Sequence, residues 1–228
     1  MFVSLVPACG ADASRSASPD PICRGTILKK AHFTICHDDD WLIAEWVGYV
    51  LRAVDLNGPA DRTDDFRPDP DLPFGGRAEL DDYAHSGYDR GHTAPAYDFT
   101  GSDEAMSETF VLSNMAPQTA SLNRGPWLQL ESAVRALVED AREVQVYVGN
   151  LFLDGEGQAV EPSERIGANG VAVPTHCFKA MKQLDGDRGG DIQAFALPNV
   201  TSVGDFGEYE VSIGELRALS GLGLLVEP

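Results

Sequence analysis

The sequence predicts one α+β domain, a central and mostly antiparallel sheet flanked by helices. Three observations carry this. Runs at 42–52, 144–152, 170–181 and 191–198 are enriched in β-branched and aromatic residues. Only one long segment, starting at Pro126, has helical periodicity. No internal repeat or low-complexity tract interrupts them. Of the 228 residues 43% are apolar, ample for a core, and no run approaches the ~20 apolar residues of a membrane span. The net charge of −19 argues against sequence-blind adhesion to polyanions over the whole surface, so any such contact must be local. Between residues 52 and 142 every cation is an arginine, and the four lysines lie outside that stretch. Arginine suits bidentate phosphate contact, although GC-rich coding produces the same bias.

Taken in order, Met1 to Cys9 reads as the end of a secretory signal, and Val6-Pro7-Ala8-Cys9 resembles a lipoprotein cleavage box. Its apolar part is short and lacks a basic leader, so the signal is incomplete. A late start or a disordered tail accounts for this equally well. Residues 1–22 are read as a flexible lead-in and 23–228 as a single domain, with a secreted or cell-envelope location (periplasmic included) expected. Cys9, Cys23, Cys36 and Cys177 allow three full pairings, and no metal-ligand spacing occurs. Residues 32–37 and 42–52 read as strands separated by His37-Asp38-Asp39-Asp40, for which a solvated acidic turn is simpler than a metal site. Residues 57–82 form a long Pro- and Asp-rich loop of the kind that carries function.

Ser102 caps a short helix to Thr109, followed by a strand Phe110-Val111-Leu112 and a polar turn from Ser113 to Gln118. Pro126 opens the main helix, whose apolar stripe is Trp127, Leu130, Val134, Leu137 and Ala141. Asn123 then sits at the helix mouth, and Glu131 lies off the stripe, four residues before Arg135. Ser212-Ile213-Gly214-Glu215 is a capping box opening a last short helix.

The chemistry concentrates in Ser86-Gly87-Tyr88-Asp89-Arg90-Gly91-His92-Thr93-Ala94-Pro95. Histidine exchanges protons near neutral pH, arginine grips phosphate oxygens, and glycine permits close approach. Hydrolysis of a phosphodiester requires a base for water, cationic groups at the phosphoryl oxygens and stabilisation of the leaving alkoxide. His92 can be the base. Asn123 and Glu131 together offer oxygen atoms suited to Mg²⁺, which takes few protein ligands and keeps several waters. From spacing alone, each is equally a satisfied polar group near a turn. His32, His37, His85 and His176 are read as structural or solvent-exposed, and Trp127 as core.

The residue strings are more specific. Tyr88 to Pro95, Thr109 to Gln118, and Leu122-Asn123-Arg124-Gly125-Pro126-Trp127 with Leu130-Glu131 resemble the DNA/RNA non-specific endonuclease family. Glu45 to Tyr49, Asp65 to Pro70, Gly170 to Lys179 and Ala196 to Asn199 extend the likeness over roughly residues 23–225. The resemblance implies the ββα-metal (His-Me finger) fold and a Mg²⁺-dependent, sugar-non-specific endonuclease leaving 5′-phosphate ends, with Mn²⁺ as a substitute metal. It further implies His92 as general base, Asn123 as the only direct protein ligand of the metal and Glu131 as orienting metal-bound water. Asn114 would position the active-site strand, Arg90 would support the site, Arg135 would bind phosphate, and Asp89 would be structural. Some members carry an arginine two residues before the loop aromatic. Here that residue is Asp64, and Arg62 or Arg67 would supply the charge, with Arg62 preferred.

DNA and RNA are the expected partners, contacted through the backbone with little sequence preference. A homodimer is compatible with the sequence, and an inhibitor or immunity protein is neither supported nor excluded. The alternative is a non-catalytic nucleic-acid- or partner-binding module that keeps the fold, against which the intact His92, Asn123 and Glu131 speak.

Overall fold

The computed structural model describes residues 17–225, with Glu139 and Asp140 described by backbone only. The readings made for Met1 to Cys9 lie outside the described residues. The strands are β1 (Thr26–Lys29), β2 (Thr34–Asp38), β3 (Ile43–Arg52), β4 (Asp89–His92), β5 (Met115–Gln118), β6 (Glu143–Leu151), β7 (Arg165–Ile166), β8 (Val171–Ala172), β9 (His176–Gln183), β10 (Ile192–Pro198) and β11 (Glu210–Val211). The helices are α1 (Ala53–Leu56), α2 (Leu80–Tyr83), α3 (Asp103–Glu108), α4 (Ala120–Asn123), α5 (Pro126–Asp140) and α6 (Ile213–Ser220). Seven strands build one sheet in the order β1-β2-β3-β6-β9-β10-β11, antiparallel at every junction. The α+β expectation holds.

The two-residue alternation sorts side chains onto two covered faces. Val47, Tyr49, Val144, Val146, Val148, Cys177 and Met181 pack beneath Trp127, Leu130, Val134 and Val138 of α5. Trp46, Tyr147, Phe178 and Ala180 pack on the other face beneath Leu216 of α6. The caps read from sequence are present. Ser102 Oγ accepts from Ala105 N at 3.1 Å, and Ser212 accepts from Glu215 N at 3.1 Å.

Four local expectations change. Phe110 to Leu112 is no strand: Val111 makes only an isolated parallel bridge with Arg67, and Leu112–Asn114 is a 3₁₀ turn. The segment read as a polar turn contains β5, which pairs with β4 from Asp89↔Gln118 to His92↔Met115. Pro117 fits this ribbon because a two-stranded pair leaves an outer edge on which a residue without an N–H is tolerated. His37 is fully buried at the end of β2 rather than solvated, and burial holds its pKa down. Ser18 to Asp20, assigned by composition to the lead-in, bind β6: Ser18 N donates to Gln145 Oε1 at 2.7 Å and Tyr147 OH to Asp20 Oδ1 at 3.0 Å. Cys23 and Cys36 form a disulfide, and Cys177 is a buried free thiol. Among the described residues no helix is long and apolar enough to cross a membrane.

Candidate active site

The β4–β5 ribbon faces α4 and the start of α5, and a cavity of about 230 Å³ opens between them. Arg62, Arg90, His92, Asn123, Arg124 and Glu131 line it together with Pro95, Ala96, Tyr97 and Leu128. Of the residues singled out from sequence, five meet here: Arg62, Arg90, His92, Asn123 and Glu131. Asn114, Arg67 and Arg135 do not line the cavity. A larger cavity of about 330 Å³ beside Trp41 and Glu45 holds none of these groups.

His92 ends β4 with its ring edge-on to Phe110, centroids 4.9 Å apart, and 5.8 Å from Phe66. Its Nε2 is buried without a hydrogen-bond partner. Burial among these rings, and then the positive charge of Arg62, push its pKa down to about 3, so the imidazole is neutral at physiological pH. The Arg90 guanidinium lies 4.2 Å from the centre of the Phe66 ring, and that of Arg62 lies 4.9 Å from the Phe110 ring. The aromatic pair therefore fixes the base and two cations at once. Gly91 is required beside them: a Cβ there would run into the side chain of Gln118 across the ribbon.

Asn114 secures the backbone just past His92. Its Oδ1 accepts from Ala94 N at 2.9 Å, and its Nδ2 donates to Ala94 O at 3.0 Å and Thr109 O at 2.8 Å. Thr93 N donates to its main-chain carbonyl at 2.8 Å. Both amide protons are thereby used.

Asp89, at the other end of β4, reaches across to the helix side. Arg124 forks its carboxylate through Nε at 2.8 Å and Nη2 at 2.6 Å, and Asn123 Nδ2 donates to Oδ2 at 3.0 Å. Arg124 foremost, with Asn123, holds the Asp89 pKa low against its partial burial. Because the Asn123 amide nitrogen is tied back, its orientation is set and its carbonyl oxygen is left to bind something else. Asp89, expected to be structural, is the strut that holds the Asn123 amide.

Glu131 is buried on α5, and that burial pushes its pKa up to about 7 despite the lowering influence of Lys179, Arg135 and Arg62. Sequence reasoning missed Lys179. Its side chain is fully buried, its Nζ makes no hydrogen bond, and it lies 4.9 Å over the Trp127 ring. A lysine sharing parity with Cys177 and Met181 in an apolar strand was the available signal. Arg135 is turned to buried Asp98 at 3.0 Å, which also accepts from Tyr49 OH at 2.7 Å. Arg67 pairs with Asp65 at 2.6 Å.

The protein family described as DNA/RNA non-specific endonuclease matches residues 14–226. A nuclease of Syncephalastrum racemosum is 34% identical over 234 residues, covering 96% of this chain and 72% of that one. Mitochondrial endonuclease G of Homo sapiens is 36% identical over 202 residues, covering 86% and 68%. A solved chain of the EndoG/EndoGI complex, a structure concerned with the inhibition of EndoG, superimposes with a TM-score of 0.81 at 30% identity, over 90% of this chain and 87% of that chain.

Proposed function

The chain belongs to the DNA/RNA non-specific endonuclease family and is a hydrolase of that class, and from this we propose that it cuts phosphodiesters at the His92–Asn123–Glu131 pocket with a divalent cation, Mg²⁺ or in its place Mn²⁺, leaving 5′-phosphate ends. One observation carries the reading: a neutral, buried imidazole shares a cavity with an amide whose nitrogen is tied back to Asp89 and with a buried carboxylate.

The residues fit such a cation. The donors on offer, the Asn123 amide oxygen and the Glu131 carboxylate, are hard oxygens. Among the described residues no group of three or more His, Cys, Asp or Glu converges on a metal position. That suits an ion that keeps much of its hydration, held directly by Asn123 and through water by Glu131. When bound, the cation supplies Lewis-acid stabilisation of the charge growing on the phosphoryl and leaving 3′-oxygens.

The chain does the rest. A ring nitrogen of His92, neutral at pH 7, takes the proton from the attacking water. Burial and Arg62 make the ring a weak base, and an anionic phosphate beside it acts in the opposite sense and raises its pKa. Glu131 orients water by accepting its hydrogen bonds. Arg62 pairs with Asp64 at 2.7 Å and Arg67 with Asp65 at 2.6 Å, but only Arg62 lines the pocket, and it is the arginine that contacts the phosphate in this reading. Arg90 adds positive charge from the same wall. Arg135 acts from behind, through Asp98 and Glu131, rather than on the phosphate. The Cys23–Cys36 disulfide supports an oxidising, secreted or cell-envelope location.

The test is degradation of plasmid DNA and of RNA by the purified protein with Mg²⁺ and with EDTA, beside His92→Ala. Wild type should be active only with the metal, and loss of the base should lower the rate by about 10²–10⁴-fold. Equal activity of wild type and His92→Ala, or an inert wild type with Mg²⁺, refutes the reading.

A further inference from the structure

Nine large hydrophobic side chains are exposed among the described residues, and two of them, Tyr97 at 49% and Leu128 at 44%, line the pocket that holds His92. Scattered apolar exposure is ordinary, but a pair on the wall of a catalytic cleft is not scattered. Neither holding a cation nor gripping a phosphate calls for apolar surface, so the pair answers to a different part of the substrate.

Tyr97 carries an unengaged ring on a fixed backbone. Among the described residues its ring has no aromatic or cationic neighbour and its hydroxyl no hydrogen bond. It stands on the 3₁₀ turn Ala96–Asp98, closed by Asp98 N to Pro95 O and Phe99 N to Ala96 O, each at 3.0 Å. The next residue, Asp98, is buried and clamped by Tyr49 and Arg135. With the backbone already fixed, only the rotamer freedom of the ring itself is lost when a base covers it. Leu128 lies three residues before Glu131, on the same side of α5. Arg62, Arg90 and Arg124 line the same pocket in a chain whose net charge is −19; Arg62 is paired with Asp64 and Arg124 with Asp89, while Arg90 rests on the Phe66 ring. Alternation of cations with an aromatic face is the chemistry of single-stranded nucleic acid, whose backbone follows the charges while a base stacks on the ring. A cavity of about 230 Å³ falls below the ~300–1,000 Å³ of sites that enclose a whole small molecule. It suits one phosphate of a polymer, with the neighbouring base lying on the rim.

We propose that Tyr97, backed by Leu128, is a stacking platform for an unpaired nucleobase beside the scissile phosphate, and that it biases cleavage toward single strands. A base held inside a duplex does not present its face to the ring. This inference rests on the nuclease reading above.

The test compares kcat/KM of wild type, Tyr97→Ala and Tyr97→Phe on a single-stranded DNA oligonucleotide and on the same oligonucleotide annealed to its complement, with Mg²⁺. Tyr97→Ala should lose about 5- to 150-fold on the single strand, the range of base–aromatic stacking. Its loss on the duplex should be at least about five-fold smaller, and Tyr97→Phe, which keeps the ring face, should recover most of the single-strand rate. Equal losses on the two substrates, no loss on the single strand, or a Tyr97→Phe as impaired as Tyr97→Ala overturns the platform while leaving the nuclease reading intact. A wild type inert on both substrates overturns that reading and the platform with it.

Discussion

His92 sits against two aromatic rings, and this placement decides its acid–base character. The folded chain keeps the imidazole neutral down to about pH 3, whereas the unfolded chain takes up the proton near 6.5. Between those values the unfolded state binds more protons, so the stability that His92 contributes above pH 6.5 is lost as pH falls toward 3. His37 and His176, also depressed by burial, act in the same direction. Glu131 acts in the opposite direction: its pKa is raised to about 7 from 4.5, so its contribution is full below 4.5 and is lost as pH rises through 7. Urea midpoints taken from pH 7.5 down to 4 should therefore fall less steeply for His92→Ala than for wild type, by on the order of a few kcal/mol at the acid end. Parallel profiles would show that the ring is not desolvated in the fold.

At the level of elements, the site is a two-stranded ribbon set against a helix start, and each side is locked by one polar side chain. Asp89 ties β4 to Asn123 and Arg124, and Asn114 ties the segment after β4 to the end of α3. Asn114→Ala removes three buried hydrogen bonds and leaves the Ala94 N–H and carbonyl without their partner. At roughly 1–3 kcal/mol for each buried group left unsatisfied, the variant should lose about 3 kcal/mol or more in denaturant unfolding. The activity that survives should be depressed about 10²-fold, because a shift of about 1 Å in His92 costs on that order. An Asn114→Ala protein with wild-type stability and rate would mean that the ribbon holds its shape without this side chain.

For the whole molecule, the sheet is the foundation and the disulfide closes its first edge. Cys23 and Cys36, 13 residues apart, join the start of the described chain to β2. A loop of this size contributes roughly 3 kcal/mol by restricting the unfolded chain. The double variant Cys23→Ser/Cys36→Ser should unfold at lower denaturant by about that amount and keep its nuclease rate, since neither sulfur lies near the pocket. An unchanged midpoint would show that β1 and β2 are held by packing alone. In a chain of net charge −19, this one cleft gathers Arg62, Arg90 and Arg124.

The long strands, α5 with its buried stripe, the cap at Ser102 and the capping box at Ser212 were all legible in the sequence, because period and capping chemistry are local properties. So were the names of the central residues, since His92, Asn114, Asn123 and Glu131 stand in strings specific enough to mark a family. Short pieces were not legible. Met115–Gln118 is a strand only because β4 lies beside it, and Phe110–Leu112 lacks a strand partner beyond one bridge. Strand parity turns Lys179 inward, but no local pattern shows that its charge acts on Glu131, that Asp89 turns the amide of Asn123, or that Arg62 rather than Arg67 or Arg135 reaches the pocket wall. Those outcomes depend on contacts across 30 or more residues, where burial and charge act through space and sequence spacing carries no information. The sequence by itself determined which chemistry the chain carries; the tertiary structure alone decided which groups share one cavity and in what protonation state.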